Sequence, residues 1–584
     1  MEIASELLKT LTIIICTFFL PALAIFPSWI KEKELWIALP FLSGLIVIIF
    51  VSLMKSLGIY SPETTRSFIF FCTAIFLLRF WKLKPSVSKD HYIQQSFSTL
   101  IAVVISMAIA FSIMVELGMR GFSIDDEIYS WNMWAIEHFL SQEVMFYYTK
   151  APYPQFFPKV LSFSYMLLGD YSFQGPVKAS LALFPIIILF IWSRTFSFNN
   201  FRSVIFFVFS TLVFLELLKL ERIFMLGMPD TMASSAILAS AYFLLRQTER
   251  RKTYLLVSSL LACVSCLIKQ PGLLWASFSF PLMVFWLHRK SLNKLHILAG
   301  GLPIIFSLVW AFTEGNLFYA NSGVISRSIG ERDSIKLVGF IFEKWIVAEP
   351  AFSATILLSF LAIFCKRTFS APLLLFVLPS MALWLVFANY DLRAGTPALC
   401  FLPFLLLRSL EYKDFLQRNR GQVFAMVCLL VSIGVFDGVR KGLDYYNKII
   451  GFEVGKSVPN NFRRVFENAG DDLYKELVTK KLPVWTTSNY SYGIFYGQTK
   501  VFRPTYDSKI YQSKTVLREI LDNEIRYVVT SPLVPIGPGH KEFEKLASQC
   551  PDMFRKKWAI TERYKFEFFE VLKNNGRENK CRLD

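Results

Sequence analysis

Trp36-Ile-Ala-Leu-Pro-Phe-Leu-Ser-Gly-Leu-Ile-Val-Ile-Ile-Phe-Val-Ser-Leu-Met54 runs nineteen residues without one charged side chain, between Lys31, Glu32, Lys33 and Glu34 on one flank and Lys55 on the other. As an α-helix it reaches about 28 Å, close to the roughly 30 Å of bilayer hydrocarbon. Working outward, comparable apolar runs recur near residues 8–29, 67–81, 98–117, 177–193, 203–218, 229–245, 253–268, 271–287, 295–313, 351–365, 371–388, 394–409 and 421–438, which makes fourteen expected spans. The bulk composition agrees: 584 residues are 54% hydrophobic and only 18% charged, with a mean hydropathy of +0.44. A soluble chain would carry about 25% charged residues. Disordered chains, secreted disulfide scaffolds and cytosolic enzymes are excluded together, and an α-helical polytopic membrane protein is expected.

The net charge of +18 would suggest nucleic acid until the bases are placed. The short loops carry Lys31 and Lys33; Arg79, Lys82, Lys84 and Lys89; Arg194 and Arg202; Arg246, Arg250, Arg251 and Lys252; Arg289, Lys290 and Lys294; Lys366 and Arg367; and Arg408, Lys413, Arg418 and Arg420. With the spans above, all of these fall on one side, which the positive-inside rule makes cytoplasmic. No nucleic-acid partner is expected. The other side receives residues 118–176, 314–350 and everything after about 439. Within 118–176 the apolar stretch from Pro158 to Leu168 is too short to span, so it reads as a juxtamembrane or re-entrant helix.

Residues 439–584 read as soluble sequence. Helical stretches near 460–480, 512–523 and 540–549 alternate with strand-like 484–487, 526–530 and 566–572, predicting a small extracytoplasmic α/β domain. Seven of the nine cysteines lie in or beside apolar runs as small hydrophobes, and core packing outweighs metal for Cys263-x-x-Cys266. Cys550 and Cys581 lie in polar sequence, but no framework of spacing supports a disulfide between them, and none is expected. Ala22-Leu23-Ala24 resembles a signal-peptide cleavage site. Glu2 and Glu6 spoil the basic region such a peptide needs, so the first run reads as a retained span.

Charged residues avoid the middles of the apolar runs and collect at their outer ends, as Glu116, Glu216, Asp230, Lys269 and Arg393 do. Ion-coupled transporters place such groups near the midplane, so a site at the outer membrane surface is the better expectation. The densest candidate is Gly121-Phe-Ser-Ile-Asp-Asp-Glu-Ile-Tyr129. Its structural explanation is a helix start, because Ser123-x-x-Asp126 has the spacing of a capping box. Its functional explanation is that Asp125 or Asp126 acts as a general base toward an acceptor hydroxyl. Lys269 has an interfacial snorkelling alternative, set against the Gln270-Pro271-Gly272 that breaks the helix after it. Asp230 has helix capping as its alternative, and Arg393 a local contact with Asp391. Trp131, Trp134, Tyr147 and Tyr148 suit either an interfacial belt or a sugar-stacking platform.

An apolar span, the Asp-Asp-Glu loop, Lys150-Ala-Pro-Tyr-Pro-Gln-Phe-Phe157 and Leu167-Leu-Gly169 follow one another in the order of the GT-C membrane glycosyltransferases. The sequence resembles in particular the branch with the protein O-mannosyltransferases and the lipid A aminoarabinose transferase. Gly227-Met-Pro-Asp230, Ile268-Lys-Gln-Pro-Gly272 and Arg393-Ala-Gly-Thr-Pro397 continue the resemblance through residues 98–410. It implies a GT-C-like catalytic core over 98–438, with Asp126, Asp125 and Glu127 as catalytic candidates. It further implies Lys150, Lys269 and Arg393 at the donor phosphate, with Asp230 and Tyr153 binding substrate. The family's acidic loop follows its first span, whereas three spans precede it here, so 1–97 is an N-terminal addition. Ala151 and Tyr153 interrupt the family's adjacent prolines.

The resemblance implies transfer of a sugar from a polyprenyl-phosphate donor, with inversion, to a glycolipid, glycan or protein acceptor at the extracytoplasmic face. A bacterial inner membrane with a periplasmic site is expected. No cofactor is assigned: a divalent metal near Asp125, Asp126 and Glu127 has no histidine or further ligand cluster behind it. The competing expectation is a flippase, exporter or assembly scaffold for lipid-linked saccharide. The scarcity of midplane charge and the lack of repeated halves weigh against that alternative.

Overall fold

The computed structural model describes residues 2–32, 34–82, 122, 127–141, 145–146, 149–150, 154–194, 226–246, 251–313, 367–387, 395–401, 404–405, 470–487, 495, 499–502, 513–531, 539–560 and 565–572. The expected spans 98–117, 203–218, 351–365 and 421–438 lie outside these residues. Three described helical stretches are long and apolar enough to cross a membrane: Leu35–Ser56, Pro62–Trp81 and Gln174–Trp192. Shorter apolar helices cover Phe156–Leu168, Lys252–Ile268, Lys294–Val309 and Ser370–Leu383, so the described residues do not support a count of fourteen full spans.

The expected first span at 8–29 is broken. Helix α1 (Glu2–Phe18) ends before α2 (Leu20–Ile25), and a tight turn covers Pro27–Lys31. Pro21 and Pro27 cause the break, since each removes a backbone donor and its ring clashes with the preceding turn. Helix α3 (Leu39–Ser56) carries the opening apolar run. Helix α4 (Pro62–Trp81) starts at a reciprocal Ser61–Thr64 capping box with Pro62 in its first turn. The run at 177–193 is likewise two helices, and the sequence therefore continues through α5 (Met133–Phe139), α6 (Phe156–Leu168), α7 (Gln174–Ser180) and α8 (Leu183–Arg194). Helices α9 (Pro229–Leu245) and α10 (Arg251–Ile268) form a closely packed hairpin. After them come α11 (Gln270–Leu274), α12 (Phe280–His288) and α13 (Lys294–Thr313).

Contacts sort the described helices into two ends. At one end Arg79 donates to the carbonyls of Ala24 and Ile25, while Glu34 pairs with Arg246 and accepts from the Tyr254 hydroxyl. At the other, Lys9 lies over the Phe173 ring and Lys55 meets His138 at 3.0 Å. Ala24, Ile25, Glu34, Arg79, Arg246 and Tyr254 therefore share one end, beside the basic residues of the short loops. Helix α6, thirteen residues long, stops at Gly169, whose φ of +84° and N–H bond to the Tyr165 carbonyl form a left-handed cap. It packs along α3, with Phe156 against Gly44, Lys159 on the Ser52 hydroxyl and Ser162 on the Tyr60 hydroxyl. The short helix thus lies inside the bundle, beside the half of α3 that leads to Lys55.

The C-terminal residues form a five-stranded sheet. Taking the hairpin Met145–Phe146 and Thr149–Lys150 as β1 and β2, the sheet uses β3 (Val484–Thr486), β4 (Val501–Phe502), β5 (Tyr527–Thr530), β6 (Phe554–Ile560) and β7 (Phe566–Val571). Its order is β4-β3-β5-β7-β6, with β3 parallel to β4 and β5, and β7 antiparallel to β5 and β6. Helices Ser513–Asp522 and Gly539–Gln549 cover one face through Val516, Ile520, Phe543 and Leu546. The elements expected at 484–487, 512–523, 526–530, 540–549 and 566–572 are all present, and 470–479 is helical. Strand β6 escapes sequence reading because Arg555, Lys556 and Lys557 interrupt its apolar alternation, as suits an edge strand that must not recruit another chain. Arg526 and Arg555 both bond Glu570. Burial pushes that carboxyl up, but its bond to Arg555 and the charges of Arg526, Arg555 and Lys557 outweigh it and hold Glu570 below the usual carboxylate range. Cys550 is disulfide-bonded, against expectation. Cys16, Cys72, Cys263, Cys266 and Cys400 are free thiols.

Candidate functional site

Glu127 opens a wide π-type turn, Glu127–Asn132, that leads directly into α5. Such turns re-aim side chains that a regular helix would place elsewhere. The turn is seated by Tyr165 of α6, whose hydroxyl donates to Asn132 Oδ1 at 2.6 Å, and by Trp131 and Trp134, packed edge-on with ring centroids 4.9 Å apart. Both tryptophans are buried, which makes them core and corrects the belt or stacking-platform expectation. Tyr147 and Tyr148 lie outside the described residues.

The Glu127 carboxylate has two recorded partners from different parts of the chain. Oε2 accepts from Lys178 Nζ at 2.7 Å, and Oε1 accepts from the Gly227 backbone N–H at 3.1 Å. Glu127 is fully buried, and Lys178 is 5% exposed. A side chain at Gly227 would place its Cβ 2.5 Å from that carboxylate and push Glu127 aside.

Gly227 stands just before α9. Met228 is the extended residue at the helix boundary, Pro229 sits in the first turn, and Asp230 follows inside the helix. Asp230 is therefore not the cap that was its structural alternative. Its Oδ1 accepts from Lys269 Nζ at 2.5 Å, with Asp230 fully buried and the Lys269 side chain 15% exposed. Lys269 consequently turns inward and does not snorkel. It is extended, with φ −161° and ψ 162°, between α10 and α11, where Pro271 sits in the first turn of the next helix and cannot continue α10. The corner is very tight: a Cβ on Gly272 would lie 1.9 Å from the Ser265 carbonyl oxygen.

The two ion pairs lie part-way along the bundle, short of its Lys55 end. Met232, two residues beyond Asp230, packs against Gly44 of α3. Helix α3 continues twelve residues past Gly44 to Ser56, about 18 Å at 1.5 Å per residue. Asp230 and Glu127 thus lie below the α3 end that carries Lys55. At that end Lys55 meets His138 Nδ1, and His138 Nε2 faces Gln155 Oε1 at 3.2 Å. An ammonium can only donate, so Nδ1 is the acceptor and Nε2 carries the proton to Gln155. Burial, then the charges of Lys55 and Lys159, hold His138 well below its ordinary pKa, which keeps the ring neutral.

Of the candidate residues, the structure brings Glu127, Asp230 and Lys269 into one region. Asp125, Asp126, Tyr153 and Arg393 lie outside the described residues, and Lys150 is described only as backbone, paired with Met145 in the β1–β2 hairpin. Sequence reading missed Lys178 and the role of Gly227. The available signal for Lys178 was a lysine just inside an apolar run, at the end where basic residues are disfavoured. Among the described residues no three His, Cys, Asp or Glu side chains converge as a metal site.

The class defined by these residues is a helical bundle, apolar enough to enter a membrane, with a recessed pair of ion pairs and an appended mixed sheet. No family model matches the chain, and no curated protein matches it. Among solved structures it is similar to the oligosaccharyltransferase of Archaeoglobus fulgidus in its apo form. The identity is 11%, covering 75% of this chain and 70% of that one, at a TM-score of 0.42. It is also similar to the archaeal oligosaccharyltransferase AglB from Archaeoglobus fulgidus in complex with an inhibitory peptide and a dolichol-phosphate. There the identity is 11%, over 74% and 69% of the two chains, at a TM-score of 0.41.

Proposed function

We propose that the protein is an integral-membrane glycosyltransferase of GT-C type, taking a sugar from a polyprenyl-phosphate donor at the extracytoplasmic face. One observation carries this reading. Glu127 of the acidic loop bonds Gly227 at a separation of 100 residues, and Asp230 of the Gly227 segment pairs with Lys269 at a separation of 39. Three short motifs that are individually weak are thus joined in one recessed place.

In this mechanism the acceptor hydroxyl gives its proton to Asp126 as its oxygen attacks the anomeric carbon. The bond from that carbon to the phosphate oxygen breaks, and its electron pair leaves with the lipid phosphate. Lys150, Lys269 and Arg393 offset the charge developing there. Asp125 caps the following turn or binds sugar, and Asp230 and Tyr153 complete the substrate site. Glu127, already bonded to Lys178 and Gly227, holds the loop in place. The acceptor is a glycolipid, a glycan or a protein.

Asp126→Asn is expected to abolish transfer while leaving donor binding intact, because asparagine keeps shape and hydrogen bonding but cannot take the proton. Asp125→Asn should mainly lower stability or donor affinity. Glycolipid and glycan profiles of cells carrying each variant read the outcome. Full activity in both variants would return the loop to a helix-capping role. The sidedness has its own test: in intact cells an impermeant maleimide should label a cysteine introduced near residue 490 and spare one near residue 250. The opposite pattern would place the site in the cytoplasm.

A further inference from the structure

We propose that Lys178 is the positioning residue of the acidic loop, clamping both flanks of the Asp125-Asp126 pair with one ammonium group. Phe122 and Glu127 bracket residues 123–126, and Lys178 reaches both. Its Nζ donates to Glu127 Oε2 at 2.7 Å and lies 5.7 Å from the centre of the Phe122 ring. Phe122 and Glu127 are fully buried, and both lie beside the same ammonium group. That group is itself held by helix packing. Lys178 sits on α7, which packs against α1 and α6, and α6 holds the π-type turn through Tyr165 and Asn132.

The energetics argue against a purely stabilising role. A buried ion pair of this kind is worth no more to stability than apolar residues of the same size, since desolvation offsets the attraction. What it supplies is geometry: Glu127 has one oxygen on Lys178 and the other on Gly227, so the pair sets the distance from the acidic loop to the start of α9. A cation beside Phe122 adds a second, weaker hold at the loop's other end. Lys178 touches neither substrate nor the reacting atoms in this scheme and acts through the placement of Asp125 and Asp126.

The catalytic consequence rests on the glycosyltransferase reading, whereas the clamp itself does not, and two readouts separate them. In full-length protein purified in detergent with Ser123→Cys, peptide-resolved maleimide labelling at residue 123 should run at least about tenfold faster in Lys178→Met. In Lys178→Arg it should stay within about threefold of the parent, because arginine also reaches the carboxylate. If Lys178→Met fails to fold, Glu127→Gln with Lys178→Met removes both charges and should show the same fast labelling. An unchanged labelling rate in the variant that folds overturns the clamp.

The second readout is transfer in membranes from cells supplying their own donor. Lys178→Met should lower kcat at least tenfold with little change in the acceptor KM, and Lys178→Arg should restore most of it. Fast labelling with undiminished transfer would keep the loop clamp and overturn its assignment as a positioning device for catalysis. Absence of transfer in the parent protein would sink the glycosyltransferase reading while the labelling still decides the clamp.

Discussion

Gly272→Ala is expected to cost about 3 kcal/mol or more of stability, at the upper end of what overpacking does, and to remove transfer activity with it. The added Cβ would lie 1.9 Å from the Ser265 carbonyl oxygen and 2.2 Å from its carbon. These are backbone atoms of α10, so no flexible side chain can swing aside. Relief requires the corner between α10 and α11 to open, and that corner carries Lys269 on the Gly272 N–H through its carbonyl at 2.9 Å. Opening it draws Lys269 away from Asp230. Gly301→Ala is the control: it lies inside α13, a Cβ there meets nothing within 4 Å, and alanine should leave stability equal or raise it by about 0.5–1 kcal/mol. Unfolding of the purified variants in detergent reads both. Equal stability of the two would mean that the corner is loose.

Lys269→Ala should lower transfer by about a hundredfold or more, the usual loss for one group that stabilises a developing anion, and Arg393→Ala should match it. Lys269→Ala also strands the buried Asp230 carboxylate, a defect of about 3–5 kcal/mol in stability. The two effects separate in the double variant. Asp230→Asn with Lys269→Ala leaves no uncompensated charge, so most of the stability should return. Transfer should not return if Lys269 serves the phosphate. Recovery of activity together with stability would reduce Lys269 to a counter-ion for Asp230.

Much of the architecture was legible because it is written by neighbours in the chain. The charge-free run at 36–54 announces α3, and the apolar stretch ending at Leu168 matches the end of α6, whereas the run read at 67–81 missed the Ser61-Pro62 start of α4. Pro271 after Lys269 foretold the break in the helix. The alternating pattern after residue 480 located β3, β5, β7 and their covering helices. Where the reading failed, local signals misled for identifiable reasons. Mean apolarity hid the break that Pro21 and Pro27 impose on the first run, and Arg555, Lys556 and Lys557 masked an edge strand. Trp131 and Trp134 looked interfacial because tryptophan favours interfaces, yet both are buried, Trp131 against Phe157 of α6.

By itself the sequence determined which segments are apolar enough for helices, that Pro271 breaks one of them, which short loops gather the bases, and that a small α/β domain follows. Tertiary structure alone decided what the charges do. Nothing near Glu127 in the chain predicts that Lys178 and Gly227 will share its carboxylate, and nothing near Asp230 names Lys269 as its partner. Helix and turn formation depend on side chains within a few positions of one another, so they are encoded locally. An ion pair across 39 or 51 residues depends on how whole helices pack, and it forms only where burial makes an unpaired charge too costly to leave.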